Sequence, residues 1–208
     1  MKTIREKILE LRNKKQNKYS VKQLIDYFGS DSHWAVIFII NLPMAIPAPP
    51  YAAGFSTVPT GTLTLILSIQ ILLGYKKVEL PTTLEKKNID ISLLKSENYK
   101  KVNDALIWLE KYLKKRKTDI FSPFFEKILA VTIIPPSLLM MLPIIFTNWL
   151  PCVTVTLISF VYLFKDGLSI FIAVVFAWLI TLFYIVLFTM FGSMFWKKRK
   201  VWSFGLIK

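Results

Sequence analysis

Two long apolar stretches, each interrupted by prolines, most constrain what this chain can fold into. The first spans residues 34–75 and contains the segment NLPMAIPAPP at 41–50. The second spans residues 128–164 and is interrupted by Pro135, Pro136, Pro143 and Pro151. Proline removes a backbone donor, and lipid offers no water to satisfy the carbonyl group that loses its partner. Paired broken segments in the two halves of a membrane chain indicate a binding site, without saying what binds there.

The basic residues lie in the segments that flank these stretches. Of the 27 lysines and arginines, eight lie in residues 1–33, thirteen in 76–127 and five in 197–208. The chain is 54% hydrophobic, which is too apolar for an ordinary soluble domain. We therefore interpret the net charge of +14 as the positive-inside signal of a multi-pass membrane protein with a cytoplasmic N-terminus. No recognition motif accompanies the charge, so we expect no nucleic-acid partner.

Few residues offer catalytic or metal-binding chemistry. The single cysteine, Cys152, excludes an intrachain disulfide and a cysteine-based metal cluster, and we expect it to pack as a small apolar side chain. The only histidine, His33, lies close to Asp31; the two could shuttle protons, or His33 could simply pack at the membrane boundary. The sequence contains no glycine-rich phosphate loop and no nucleophile elbow. We expect no metal, no cofactor and no enzymatic activity.

Residues 1–33 are predicted to form a cytoplasmic, amphipathic N-terminal region. Apolar residues at positions 4, 8 and 11 share one helical face. A second helix is expected to begin after Ser20, which can form a capping box with Gln23, and to end at Gly29. These helices could lie on the membrane surface or pack against the protein's own cytoplasmic part.

Residues 34–75 are predicted to form the first membrane hairpin. Its arms, residues 34–48 and 59–74, are short for a full crossing, which takes about 20 residues. We expect residues 47–54 not to form regular helix, because a residue before proline favours extended geometry, and Pro59 to lie in the first turn of the second arm. The predicted bend residues are Pro43, Pro47, Pro49, Pro50 and Gly54.

Residues 76–127 read as a basic cytoplasmic connector. Its basic run at 114–117, which includes Arg116, comes just before the second apolar stretch. The run is interpreted either as a solvated patch that sets topology or as a site for an anionic headgroup.

Residues 128–196 are predicted to form a second hairpin and a final transmembrane helix. The hairpin bends at Pro143 and Pro151, and the final apolar run, residues 168–196, is long enough to span a membrane with some tilt. A basic tail, residues 197–208, follows. If both termini and the connector are cytoplasmic, the number of membrane crossings between the connector and the tail must be even. The second hairpin and the final helix, however, make three segments. We therefore expect that at least one segment does not cross fully, with re-entrant character in at least one hairpin, or that the tail lies outside the cytoplasm.

Several short motifs follow one another along residues 19–192. They are Ser20 to Trp34, Leu42-Pro43 to Pro49 with Gly54 and Gly61, Gln70 to Gly74 with Leu80-Pro81, Trp108-Leu-Glu110 with Arg116, and Leu142-Pro143, Asn148, Pro151 and Lys165-Asp166-Gly167. In this order they resemble the ExoD family, integral membrane proteins named for a link to exopolysaccharide synthesis. The chain departs from the family pattern at Glu79, at Lys115 and at Lys165, where Trp, Pro and Arg are usual. The resemblance implies an inner-membrane protein tied to the production of cell-surface polysaccharide.

Polar side chains near the apolar stretches are the candidate substrate-binding residues. Gln70 could contact a substrate or form an interhelical hydrogen bond. Asn148 could hold a headgroup or exposed carbonyl groups, or form the turn. Lys165 and Asp166 could pair with each other or form an interfacial turn. The fifth candidate is Arg116.

We interpret the chain as an all-α, polytopic membrane protein with two proline-broken helical hairpins and a C-terminal transmembrane helix. The function that we expect is support of envelope polysaccharide assembly, through transport or binding of an anionic lipid carrier such as polyprenyl phosphate. The alternative is a membrane protein that transports nothing and recruits polysaccharide-synthesis enzymes. Its expected partners are membrane lipids, with a second copy of the chain or polysaccharide-synthesis proteins as further possibilities.

Overall fold

The computed structural model describes residues 4–13, 18–45, 50–86, 88–90, 113, 118–142 and 148–205, and these are mostly helical. The α-helices are α1 (Ile4–Asn13), α2 (Val21–Phe28), α3 (Ser32–Ala45), α4 (Pro50–Leu73), α5 (Thr82–Glu85), α6 (Pro123–Met141), α7 (Trp149–Phe164) and α8 (Gly167–Gly205). Single 3-10 turns lie at Gly29–Asp31 and Thr118–Ile120. Two three-residue strands, β1 (Lys18–Ser20) and β2 (Asn88–Asp90), pair antiparallel with Tyr19 opposite Ile89. The sequence had not predicted this small ladder.

The N-terminal helices form where the local signals predict them. Ser20 Oγ accepts from the Gln23 amide at 3.2 Å, and the Ser20 amide donates to Gln23 Oε1 at 2.9 Å, so the capping box is confirmed. Gly29, at φ 60°, ends α2 as expected, because a left-handed backbone is easiest for glycine. Helix α2 then buries Ile25 and Phe28 against the main bundle.

Four helices form the bundle, with α3 packed on α7 and α4 packed on α6. At one end, which we call the base, the Val78 amide donates to Ser32 Oγ at 3.1 Å and Tyr162 Oη donates to Glu126. At the other end, the bend end, Trp149 Nε1 donates to Ala45 O at 2.9 Å. The N-terminus of α3 and the C-terminus of α4 therefore lie at the base, and so do the N-terminus of α6 and the C-terminus of α7.

The core of the bundle lies around α7. Twelve of its sixteen residues are buried, and the largest fully buried side chains include Tyr162 on α7, Trp34 on α3 and Ile133 on α6. Helix α8 packs along α7 and α6 through one narrow stripe, which comprises Ile170, Ala173, Ala177, Thr181 and Tyr184. Small residues in such a stripe let two helices approach closely. Because α8 leaves the base beside α7, it runs back toward the bend end.

A glycine sets the distance between α4 and α6. A Cβ atom added at Gly61 would lie 2.8 Å from the carbonyl oxygen of Ser137 and 3.1 Å from Cβ of Met140. No side chain fits at this position unless the helices move apart.

Several prolines lie inside helices, which corrects the expectation that they break them. Helix α4 begins at Pro50, so residues 50–54 are helical: a proline at the first helical position lacks only an amide that would have no intrahelical partner. Pro59 is then an interior residue of α4 rather than the start of an arm. Pro135 and Pro136 lie inside α6, where burial of Ile133, Pro136, Ser137 and Met140 holds the helix together.

The remaining bend residues divide into two groups. Pro43 lies in α3 and Gly54 in α4, while Pro151 is buried in the first turn of α7. Pro47, Pro49 and Pro143 lie outside the described residues, as does most of the predicted connector 76–127. The division into five segments stays a prediction.

By length and composition, two described helices could cross a membrane. They are Pro123–Met141 and the segment Gly167–Met190 of α8, which has a mean hydropathy of 2.8. The second lies within the predicted C-terminal transmembrane helix. Two shorter apolar helical segments, Val58–Leu73 and Trp149–Phe164, belong to α4 and α7.

Candidate functional site

The predicted site residues lie at opposite ends of the bundle. Gln70, Lys165 and Asp166 lie at the base, and Asn148 lies at the bend end. Arg116 lies outside the described residues. The structure therefore does not bring Asn148 together with the other candidates into one site.

Gln70 holds the loop that follows α4. Its Nε2 donates to Glu79 O at 2.7 Å, and its Oε1 accepts from the Glu79 amide at 3.1 Å. Gly74, at φ 85°, turns the chain between the two residues, and Val78 is buried under the loop. Both ends of the Gln70 amide are thus engaged within the chain, in a local clamp on the loop.

Asn148 and Trp149 satisfy carbonyl groups at the ends of two helices. Asn148 Nδ2 donates to Leu142 O, at the end of α6, at 3.0 Å, and Trp149 Nε1 donates to Ala45 O at the end of α3. The last carbonyl groups of a helix have no intrahelical partner, so these bonds close both helix ends. Of the roles considered for Asn148, the structure shows its hold on an otherwise exposed carbonyl.

Lys165 lies in the turn between α7 and α8 in an enclosed position. Its Nζ is 3.1 Å from Asp31 Oδ1 and 3.6 Å from the centroid of the Tyr162 ring. The Phe121 ring centroid lies 5.3 Å away. Lys165 adopts φ 55°, a left-handed conformation that is uncommon for a residue with a Cβ atom. A carboxylate and two aromatic rings thus surround one ammonium group.

Asp31 is the centre of a polar group, which we call the Asp31 cluster: Lys7, Asp31, Glu126, Tyr162 and Lys165. Lys7 Nζ approaches Asp31 Oδ2 at 3.5 Å, while Lys165 holds the other oxygen. The Asp31 side chain is 10% exposed. The Tyr162 ring stacks on Trp34 with centroids 4.5 Å apart. The cluster joins the N-terminal helix, the start of α3, the start of α6 and the α7–α8 turn.

Sequence reasoning missed Glu126 as a member of a site, and it considered Asp31 only as a partner of His33. Each lies just outside an apolar stretch, at the residues where α3 and α6 begin, and this position was the available signal. Their partners are distant in the sequence, so spacing alone could not pair them.

Asp166 caps α8. Its Oδ1 accepts from the amides of Leu168 and Ser169 at 3.1 and 3.4 Å, and its Oδ2 accepts from Ser169 Oγ at 2.9 Å. A carboxylate at a helix N-terminus satisfies free amides and the helix dipole. Lys165 thus pairs with Asp31, while Asp166 holds the first turn of α8.

A second polar group lies in the middle of the bundle. Asn41 Nδ2 donates to Thr64 Oγ1 and to Ile37 O, each at 2.9 Å. Cys152 Sγ lies 3.4 Å from Asn41 O and is fully buried, as its predicted packing requires. The group ties α3, α4 and α7 together.

Two titratable groups of α2 show how polar pairs hold the base. The hydrogen bond and charge of Lys77, 2.9 Å away, hold the pKa of Asp26 below its usual 3.8. Burial, and then Glu10 at 2.8 Å, raise the pKa of Tyr27 to about 12. Among the described residues, no group of three His, Cys, Asp or Glu side chains is placed to hold a metal ion.

Comparisons with known proteins place the chain in a family. The family model described as "Exopolysaccharide synthesis, ExoD" matches residues 4–186. The chain is also 32% identical over 142 residues to the uncharacterized protein slr1875 of Synechocystis sp. (strain ATCC 27184 / PCC 6803 / Kazusa). That match covers 64% of this chain and 61% of the relative's length. No solved structure matches the chain. Since the family model covers most of its residues, the chain belongs to the ExoD family.

Proposed function

We propose that the chain is an integral inner-membrane protein that supports exopolysaccharide production. The observation that carries the proposal is a band of large, exposed apolar side chains on the outer faces of three helices. The band includes Phe171, Leu179 and Val186 on α8, Ile66 on α4 and Val131 on α6. Proteins surrounded by water rarely expose contiguous apolar surface on this scale, whereas a bilayer covers it. Membership of the ExoD family supplies the link to exopolysaccharide.

The role is tested in a strain that lacks the chain. We expect exopolysaccharide output to fall and to return with the wild-type chain. Leu179→Arg on the outer face of α8 should not restore it, because arginine at a helix centre opposes insertion by about 2.5–3.5 kcal/mol. Leu179→Phe is the matched control. Unchanged output in the deletion strain, or a Leu179→Arg chain that fully restores it from the membrane fraction, would contradict the proposal.

The topology that we propose has the base in the cytoplasm and the C-terminal tail on the opposite side. Both hairpins begin and end at the base, whatever depth they reach, so α8 alone changes sides. Helices α3 and α7 have 14 and 16 residues. At ~1.5 Å per residue they are about 21 and 24 Å long, against ~30 Å for the hydrocarbon core. We propose that these two short helices are the re-entrant arms.

Single cysteines test this topology. Cys152 is replaced by Ala, and a cysteine is introduced at residue 85 or at residue 203. An impermeant thiol reagent added outside the cell should label residue 203 and leave residue 85 unlabelled until the membrane is opened. Labelling of both from the same side would refute the proposed crossing of α8.

We propose that the ligand is an anionic lipid carrier, such as polyprenyl phosphate, with its phosphate near the base. In support, the described side chains of Lys22, Lys77, Lys127 and Lys165 lie at or near that end, far from Asn148. Purified protein should bind polyprenyl phosphate, and Lys127→Gln or Arg116→Gln should weaken binding. Asn148→Ala is the control at the bend end and should leave the affinity unchanged. No binding, or equal affinities in all variants, would contradict the ligand.

A second candidate function is recruitment of polysaccharide-synthesis enzymes, with no transport. The folded, polar base favours it: Lys22 and Glu85 lie 3.5 Å apart, and Lys77 and Asp26 join the α4–α5 loop to α2. Copurification separates the candidates. A stable protein partner without bound lipid supports recruitment, and bound lipid without a partner supports the carrier.

A further inference from the structure

We propose that Asp31 and Phe28 form a binding site for a primary ammonium group, which Lys7 of α1 occupies as a displaceable internal ligand. Lys7 Nζ lies 3.5 Å from Asp31 Oδ2 and 5.5 Å from the centroid of the Phe28 ring. A carboxylate oxygen beside an aromatic face is the combination that attracts an ammonium group in proteins. The inference does not rest on the role in exopolysaccharide production.

Lys7 can leave this site without stranding a buried charge. Breaking a buried ion pair is costly when it leaves one partner uncompensated. Here the other oxygen of Asp31 stays paired with Lys165 at 3.1 Å. Lys7 itself is 17% exposed, so its ammonium group already has a path to water. Exchange of Lys7 for another ammonium group therefore keeps the charge balance of the Asp31 cluster.

Among the described residues, Lys7 and Glu10 attach α1 to the base through polar contacts, so the helix can leave with Lys7. Tyr27 Oη lies 3.1 Å from Lys7 O and 2.8 Å from Glu10 Oε2. None of the five α1 side chains that the structure describes is buried. The net contribution of a hydrogen bond to stability is small, since water replaces it when it breaks. Displacement of α1 thus opens the site while the buried core of the bundle stays closed.

The chemistry of the site selects a primary ammonium group on a short alkyl stem. Lys7 presents such a group, and its N–H bonds can reach Asp31 Oδ2 while its charge faces Phe28. A quaternary ammonium group carries the same charge but has no N–H to donate to the carboxylate. The ligand can be a free alkylamine or the ethanolamine headgroup of a phospholipid, and the two sources share this ammonium group.

Chemical rescue tests the site on the full-length chain in detergent micelles. Lys7→Ala should lower the thermal unfolding midpoint. Ethylammonium chloride at 0.1 M should then raise the midpoint of the variant by about 2 °C or more over sodium chloride at equal ionic strength, and tetramethylammonium should not. The wild type should show little of this gain, because Lys7 competes. The double variant Lys7→Ala with Phe28→Leu removes the aromatic face and keeps Asp31 paired with Lys165. Its rise in unfolding midpoint with ethylammonium should be at most half of that in Lys7→Ala.

Nanodiscs then distinguish the two sources of the ammonium group. Amide exchange of residues 7–13 in the wild-type chain is compared between discs of ethanolamine phospholipid and discs of choline phospholipid. Faster exchange in the ethanolamine discs assigns the site to the headgroup, and equal exchange assigns it to free amines. Failure of ethylammonium to stabilise Lys7→Ala beyond sodium, or equal rescue with Phe28→Leu, would overturn the site itself.

Discussion

The base and the interior of the bundle satisfy their buried polar side chains in different ways. Both contain buried polar side chains, but among the described residues the charged ones lie at the base. There Asp31 has two lysines, and Glu126 accepts from Tyr162. The interior uses hydroxyl groups, such as those of Ser68 and Ser137, each of which donates to the carbonyl four residues earlier on its own helix.

The difference follows from whether water and charged partners can reach each region. A hydroxyl bonded to its own helix is satisfied without a partner elsewhere, so it suits a region that water does not reach. A charge needs a specific partner, and the polar end of the bundle supplies one. We therefore expect that pairs of charged residues stabilise the base, and that close packing of side chains stabilises the interior.

The largest effect is expected when the Asp31 cluster is broken. Asp31→Asn removes the carboxylate from two enclosed lysines, and an uncompensated buried charge costs about 3–5 kcal/mol. Unfolding of the purified protein in mixed micelles measures the loss. The double variant Asp31→Leu with Lys165→Met should recover most of it, because the charge of Lys165 is removed as well and Lys7, which is 17% exposed, can turn to water. If the double variant is no more stable than Asp31→Asn alone, the pair of Asp31 and Lys165 is not the cause of the lost stability.

Loss of fit in the interior should come next. Gly61→Val places side-chain atoms against Ser137 O and Met140, and overpacking costs about 1–3 kcal/mol. Leu63→Val, on the exposed face of the same helix, is the matched control and should change the free energy of unfolding by less than half as much. Equal effects of the two substitutions would mean that the contact between α4 and α6 is not tight.

Polar contacts inside the bundle should matter less than either. Asn41→Leu removes the donor to Thr64 and Ile37 while keeping a similar volume. A hydrogen bond contributes about 1 kcal/mol net, so we expect a loss of about 1–2 kcal/mol in the same unfolding assay. Thr64→Val tests the partner: if the two residues act through their mutual bond, the double variant should lose less than the sum of the single losses.

These two regions also differ in how far the sequence predicts them. The cap of α2 at Ser20 was predicted, because its signal lies within four neighbouring residues. The prolines were misjudged, because Pro50 begins a helix and the packing of Ile133 and Met140 keeps α6 helical through Pro135. Local preference is a weak guide where tertiary contacts decide.

The candidate site was predicted only in part, for the same reason. Lys165 was identified as a polar group beside an apolar stretch, but its partner Asp31 lies far away in the sequence and no pattern joins them. Likewise, Asn148 was identified, while its neighbour Trp149 reaches Ala45 across the bend end. Single residues can be recognised from their surroundings in the sequence, whereas pairs require the fold.

The smallest effect is expected at the exposed edge of the base, where pH should act through Asp26. Lys77 holds the pKa of Asp26 below its usual 3.8, so the folded state binds its proton less readily than the unfolded chain does. The resulting stabilisation is fully present above pH 3.8 and is lost as the pH falls through the lower folded-state pKa. Titration of the Asp26 carboxyl by 13C NMR should show this pKa return toward 3.8 in Lys77→Met. Because Asp26 and Lys77 are exposed to water, the accompanying change in the free energy of unfolding should be small, and it should shrink further in high salt. The enclosed pair of Asp31 and Lys165 should respond little to salt. Equal salt sensitivity of the two pairs would show that the Asp31 cluster is open to solvent.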